Sequence, residues 1–334
     1  MTLPPGTIRS LIDALDEPAL VVEDERTLVA NAPARELLGK SIEGSDVRLA
    51  IRHPEALELL LSGKASELDV VGIGAAERPW TVSIRPIDGG QMLVRLVDRS
   101  AGLSAERMRT DFVANASHEL RTPLATVIGY AETLAEESLV PDDLRTRFGT
   151  TIEAEARRML RIVEDLMSLS RIEADRYRLP GERVDLGEIA RIAVKQAAPL
   201  AERRGCRIET DIANDLPAVA GDFAQLLQVT DNLIANAIRY GCNKNSSVIE
   251  VSVQSDASRV RLNVSDRGDG IPPEHLPRLT ERFYRVDPAR SRDSGGTGLG
   301  LAIVKHIAER HRGTLDIRSE AGSGTQVSIS IPIA

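Results

Sequence analysis

The sequence predicts a multidomain α+β protein of three units, and three observations predict it. Short β-rich stretches punctuated by Gly, Pro and Asp fill residues 10–98, strand signals vanish between 103 and 173, and helical patterns alternate with strands from 184 to 333. A chain of 334 residues has room for this at about 150 residues per domain when one unit is small.

In the first unit, 8–100, strands are expected at 19–24, 26–31, 66–74, 80–86 and 91–98. The helical patterns PARELLG and HPEALELLL lie between the second and third. Two strands, short helices and three further strands describe a small domain with an antiparallel sheet.

The second unit, 101–175, reads as two long helices. Ile152, Ala156, Met159, Val163 and Leu166 keep heptad spacing. Val113, Ala116, Leu120, Leu124, Val127, Ala131 and Leu134 do so with a stutter beside Pro123. The connection SLVPDD offers a Pro and two acids to the start of the second helix. Two helices cannot bury both stripes, so a second copy is expected to complete a dimeric four-helix bundle.

In the third unit, 180–334, helices are expected at 185–204, 222–240 and 298–311, and strands at 206–212, 248–255, 259–266, 314–320 and 325–333. This is a two-layer α/β sandwich, with helices on one face of a mixed sheet.

Composition removes several functions. Fifty acidic against 42 basic residues give a net charge of −8, which argues against direct nucleic-acid binding. Aromatic residues at 3% disfavour base stacking on single strands and leave the cores to Leu, Ile, Val and Ala. The two cysteines, Cys206 and Cys242, exclude a disulfide framework and a cysteine zinc site. No apolar run is long enough to span a bilayer and no signal peptide is visible, so a cytoplasmic location is expected.

Three glycine clusters fall within 60 residues of each other: Asp266-Arg-Gly268-Asp-Gly270 at a strand end, Gly295-Gly296-Thr-Gly298-Leu-Gly300 opening a helix, and Gly322-Ser-Gly324-Thr325 in the last hairpin. A glycine-rich loop before a helix presents free N–H groups and a positive dipole to phosphate. Neither a Walker loop nor a dinucleotide fingerprint fits the spacing. In DNLIANAIRY, Asn232 and Asn236 share a helix face, a hard-oxygen pair suited to Mg2+. Arg239 can meet a phosphate and Tyr240 can cover a purine ring.

His118 lies about 200° from the seam and faces solvent. Glu119 adjoins it and can hold its tautomer or take its proton. Thr122 sits one turn on, and Pro123 removes a helix hydrogen bond there. Zinc is excluded because Thr122 stands where His-Glu-x-x-His needs a second His.

HELRTPL (118–124), DNLIANAIRY (231–240), DRGDGI (266–271), ERFYRVD (281–287), GGTGLGLAIVKHI (295–307) and AGSGT (321–325) resemble, in order and spacing, the H, N, G1, F, G2 and G3 boxes of the sensor histidine kinases of two-component systems. The likeness covers residues 105–334. The first unit resembles a PAS sensor domain, and ALDEPALVV and AIRHPEALELL resemble stretches of phosphate-regulon sensor kinases.

The resemblance implies a Bergerat-type ATP-binding domain with ATP and Mg2+ as cofactors. It makes His118 the phospho-acceptor, Glu119 its activating neighbour and Thr122 the residue that positions water for dephosphorylating the partner. Asn236 would be the Mg2+ ligand with Asn232 nearby, and Arg239 and Tyr240 would lie at the nucleotide. Asp266 would take the adenine amino group, and Gly268 and Gly270 would let the backbone approach. Gly296, Gly298 and Gly300 would hinge a lid over 286–297 and bind phosphate, with Thr325 also at the nucleotide.

The related gyrase and chaperone ATPases carry Glu where Asn232 stands, and an amide cannot serve as their water-activating base. Transfer to His fits instead, followed by transfer to an Asp of a separate response-regulator receiver domain. The competing readings are a signalling scaffold or pseudokinase and an ATP-driven conformational machine. Family members with a membrane anchor make a second location possible, the cytoplasmic part of an anchored sensor. The PAS-like unit has no Cys for a flavin adduct and only His53 for haem, so its ligand stays open.

Overall fold

The computed structural model describes residues 5–74, 78–136, 141–175, 178–242, 247–287 and 296–334. The chain divides into two units, Met1–Phe112 and Val113–Ala334.

In the first unit, β1 (Ala19–Glu23) and β2 (Arg26–Ala30) form a hairpin. Its turn residues Asp24 and Glu25 both take positive φ, 47° and 64°, matching the twist of the strands. With β3 (Ser66–Val71), β4 (Pro79–Pro86) and β5 (Met92–Asp98) they make an antiparallel sheet of order β2-β1-β5-β4-β3. Helices α2 (Ala32–Leu38), α3 (Val47–Ala50) and α4 (Pro54–Leu61) share a core with Leu20, Val22, Val82, Ile84, Val94 and Leu96.

Helix α1 (Pro5–Ile12) packs Ile8 and Ile12 with Ala19, Val21 and Val29 in a second core. Because alternate residues of β1 enter different cores, its Ala-Leu-Val-Val run is buried throughout, giving a continuous apolar stretch where a half-exposed strand would alternate. Asn31 joins these layers. It caps α2 by accepting the Ala34 N–H at 3.0 Å, accepts the Ala19 N–H at 2.9 Å and donates to the carbonyls of Ile12 and Glu17 at 3.1 and 2.8 Å.

Helix α5 (Ser100–Glu136) begins in the first unit and continues into the second, unbroken through Pro123. Its partner α6 (Asp142–Ala174) has Pro141 at its cap and Asp142 and Asp143 in its first turn; the preceding connection at 137–140 lies outside the described residues. Tyr130 stacks on Phe148 at 4.7 Å between ring centroids. Along the heptad seam Val113, Leu124 and Val163 remain 58%, 46% and 40% exposed, so the hairpin leaves an apolar face open. A second stripe on α6, Ile162, Leu169 and Ile172, is buried, and α9 (Gly300–Arg310) packs along the same helix. Among the described residues no helix is long and apolar enough to cross a membrane.

The remainder is a mixed sheet covered by helices. β7 (Arg207–Ile212), β9 (Val248–Ser255), β10 (Arg259–Asp266), β11 (Thr314–Glu320) and β12 (Gly324–Pro332) run in the order β11-β12-β10-β9-β7, with β7 parallel to β9. Ile249, Val251, Val253, Val260, Leu262 and Val264 alternate into the core. That core is shared with α7 (Leu186–Arg203), α8 (Phe223–Asn236) and α9.

Besides the added helix α1, three features depart from the sequence expectation. A short pair, β6 (Glu182–Val184) with β8 (Val219–Gly221), is added. The helix expected over 222–240 gives way at Ala237 to a π-helical turn, Ala237–Gly241. Cys206 and Cys242 are joined in a single disulfide with Cα atoms 6.1 Å apart, a lone bridge and no framework.

Candidate functional site

Antiparallel pairing sets Asp266, the last residue of β10, opposite Thr325 of β12, and this register brings the first and third glycine clusters together. Gly270 takes φ +66°, and a Cβ there would stand 2.0 Å from the Glu320 carbonyl oxygen; only glycine permits the crossing. Asp266 Oδ1 accepts the Gly268 N–H at 2.9 Å. Burial pushes the Asp266 carboxyl up, against the lowering effect of hydrogen bonds from the Gly268 and Thr325 backbone.

These strands, the end of α8 and the start of α9 enclose a cavity of about 430 Å3, a size suited to a small-molecule cofactor. Its wall is apolar at Val264, Ile271, Leu279, Ile317 and Val327. Asn232, Asn236, Arg239, Tyr240, Asp266, Gly270, Gly296, Gly298, Gly300 and Thr325 all line it. Gly268 does not; it packs on the backbone of Tyr240 and Gly241. A Cβ on Gly300 would lie 3.2 Å from Asn232 Oδ1, so the first turn of α9 meets the asparagine face of α8. Arg239 donates to Asn236 Oδ1 at 3.4 Å. Most of the expected lid, at 288–295, lies outside the described residues.

His118 and Thr122 are exposed on α5, and the Thr122 hydroxyl donates to the His118 carbonyl at 3.3 Å. Glu119 is half-buried. Its Oε2 accepts from Arg158 of α6 at 3.0 Å and from Arg285 at 2.9 Å. Both guanidiniums are nearly sequestered, with side chains 8% and 6% exposed, and Arg285 also lines the cavity. One arginine therefore links the nucleotide-sized cavity to the residue beside His118.

The contact between the hairpin and the sheet domain is polar at several points. Thr297 Oγ1 donates to Asp165 Oδ2 at 2.7 Å, Ser168 Oγ donates to Gln228 Oε1 at 2.8 Å, and Arg282 pairs with Glu173.

The structure thus gathers every expected nucleotide residue except Gly268 around one cavity and leaves the histidine and threonine on the neighbouring helix. Sequence reasoning assigned no role to Arg158, Arg285, Asp165, Thr297 or Gly241. Arg285 and Thr297 stand inside recognised boxes, which was their available signal. Arg158 is 39 residues from Glu119, and no local pattern connects them.

Residues 221–334 match the family model described as histidine kinase-, DNA gyrase B- and HSP90-like ATPase, and residues 108–175 match the His kinase A (phospho-acceptor) domain. The phosphate regulon sensor protein PhoR of Pseudomonas aeruginosa is 37% identical over 340 aligned residues, covering 96% of this chain and 74% of that protein. The sensor-like histidine kinase SenX3 of Mycolicibacterium smegmatis is 39% identical over 241 residues, 72% of this chain and 62% of that protein. Among solved structures, the Acinetobacter baumannii histidine kinase AdeS is similar with a TM-score of 0.51 at 26% identity, over 65% of this chain and 98% of that one. The histidine kinase ThkA, in complex with the response regulator protein TrrA, shares the fold over 97% of this chain and 98% of that one, with a TM-score of 0.53 at 18% identity.

Proposed function

Because the chain belongs to the sensor histidine kinases, we propose that its ATP-binding cavity serves phosphoryl transfer to His118, from which the group passes to an aspartate of a separate response regulator. The observation that carries this reading is Arg285, which lines the cavity and bonds the Glu119 carboxylate next to His118. Its Nε is buried with no hydrogen-bond partner among the described residues, a donor placed to suit a phosphate oxygen. The other side chains fit the same nucleotide. Asp266 is half-buried against the apolar wall as an acceptor for the adenine amino group, Tyr240 flanks the ring, and Arg239 stands at the phosphate end with the glycine loop 296–300.

Mg2+ also fits. Asn236 offers one hard oxygen, and no group of three His, Cys, Asp or Glu that could hold a metal occurs among the described residues. Asn236 would hold Mg2+ together with nucleotide phosphates, since Mg2+ keeps several waters and seldom sits in an all-protein cage.

ATP supplies the γ-phosphoryl group when bound, and Mg2+ spreads the charge on its oxygens. A ring nitrogen of His118 attacks the γ-phosphorus, the bond to the ADP oxygen breaks, and the imidazole loses its N–H proton. Both arginines bond Glu119 Oε2, which leaves Oε1 as the atom to take that proton. An exposed imidazole on a helix is open to both the donor cavity and a receiver domain.

The open apolar face at Val113, Leu124 and Val163 supports a homodimeric four-helix bundle. The strand order β2-β1-β5-β4-β3 and the relationship to PhoR support a PAS-like sensor unit at 8–100, ahead of the phosphotransfer hairpin at 101–175 and the catalytic domain at 180–334, in a phosphate-regulon type of kinase.

The test is incubation with γ-labelled ATP and Mg2+. Label stable to base and lost in acid is expected; an unlabelled chain overturns the reading. A second result concerns Thr122, whose hydroxyl donates to the His118 carbonyl and keeps lone pairs that can accept from an attacking water. Thr122→Ala should slow dephosphorylation of the phosphorylated receiver domain by about tenfold or more while autophosphorylation stays nearly unchanged. Equal loss of both activities would show that Thr122 serves the helix and not the water.

A further inference from the structure

The nucleotide cavity carries a charge that phosphoryl transfer does not explain. Asp165 of α6 lines it and accepts the Thr297 hydroxyl at 2.7 Å. Thr297 lies between Gly296 and Gly298, so this bond ties the phosphate end of the loop to the phosphotransfer hairpin. Glu164 of the same turn also lines the cavity, as does Arg161. Burial pushes the Asp165 carboxyl up, against the lowering effects of Thr297, Arg161 and Arg239, with Glu164 reinforcing the rise. Arg239, the cation assigned to phosphate, lines the same cavity as Asp165.

A carboxylate in this position does two things to a bound nucleotide. It shares the field of Arg239 with the phosphates, and it repels them through a medium of low dielectric. Neither effect touches the adenine end, where Asp266 and the apolar wall lie.

Resting on the ATP-site reading, we infer that Asp165 is a positioning residue that sets nucleotide affinity according to phosphate charge. It docks the glycine loop on α6 through Thr297 and competes with phosphate for Arg239. Nucleotide binding and docking of the catalytic domain on α6 are therefore antagonistic. Reciprocity makes the coupling run both ways: whatever strengthens the Asp165–Thr297 contact weakens ATP, and ATP loosens the contact. A kinase built this way lets a rearrangement of α6 change nucleotide affinity without altering the adenine pocket.

The test is calorimetric titration of the full chain, wild type and Asp165→Asn, with ATP, ADP and adenosine in saturating Mg2+. Asn keeps an oxygen for Thr297 and removes the charge. ATP affinity should rise about fivefold, ADP affinity should rise less, and adenosine affinity should not move. A merely structural role would shift all three together. An unchanged ATP-to-adenosine ratio, or weaker ATP binding in the variant, overturns the inference. If Asp165→Asn does not fold, Asp165→Ser carries the same comparison. Should the wild type bind neither ATP nor adenosine, the nucleotide-site reading fails first and takes this inference with it; adenosine binding with an unmoved ratio sinks the inference alone.

Discussion

His118→Gln should bind ATP as tightly as the wild type and take up no γ-label, a loss of at least about 100-fold. Gln has helix propensity close to that of other good formers, and the His118 ring is exposed and makes no hydrogen bond among the described residues, so the helix survives the change. The other four histidines argue for the assignment by what they already do. His53 Nδ1 accepts the Ala56 N–H at the start of α4. His275 Nδ1 is bonded to the Tyr284 hydroxyl at 2.6 Å. His306 stands between Glu173 and Glu309, each at 3.8 Å. His311 is buried and accepts the Asp222 N–H at 3.0 Å. A nucleophile needs an approachable nitrogen, and His118, next to Glu119 in the chain, is the one exposed histidine of the five. Asn236→Ala is the companion measurement: it removes the oxygen assigned to Mg2+, so nucleotide binding and label should fall together. Label at wild-type level in His118→Gln would move the acceptor elsewhere.

Legibility in the sequence followed the length of each pattern. The strands of both sheets were readable because five to nine residues of alternating or continuous apolar character leave little choice of element. Helix α1 was not, since Ile8 and Ile12 make barely one turn of period. The three-residue strands β6 and β8 are too short to alternate. The heptad reading of α6 found the face that stays open and overlooked Ile162, Leu169 and Ile172, because one helix carries two apolar stripes and the stronger period masks the other. At the site, the boxes announced their own residues. What stayed hidden was pairing at long range: Arg158 and Arg285 on Glu119, and Asp165 on Thr297. Such contacts depend on how the hairpin meets the sheet domain, and neither propensity nor periodicity encodes that.

Gly241→Ala should cost about 10- to 100-fold in ATP affinity, the loss expected for a hydrogen bond to a charged group. Gly241 ends the π-helical turn after α8. A methyl group there would stand 2.2 Å from the Asp266 Cβ and 2.5 Å from its Cγ, closer than packed atoms tolerate, so the aspartate must move or the turn must shift. Overpacking of this kind costs about 1–3 kcal/mol. Neither route leaves the Asp266 carboxylate where the adenine amino group would meet it. The disulfide from Cys242 to Cys206 anchors the residue after Gly241 and restricts relief by displacing the turn, so the strain falls on Asp266. The discriminating measurement is ATP against GTP. A carboxylate aimed at the purine edge accepts from the adenine amino group and repels the guanine carbonyl, so an intact site separates the two nucleotides. Gly241→Ala should lower ATP affinity steeply, change GTP affinity little and narrow the preference. An equal loss for both nucleotides would mean that the substitution loosens the whole cavity. Wild-type ATP affinity would show that Asp266 does not depend on this close approach at all.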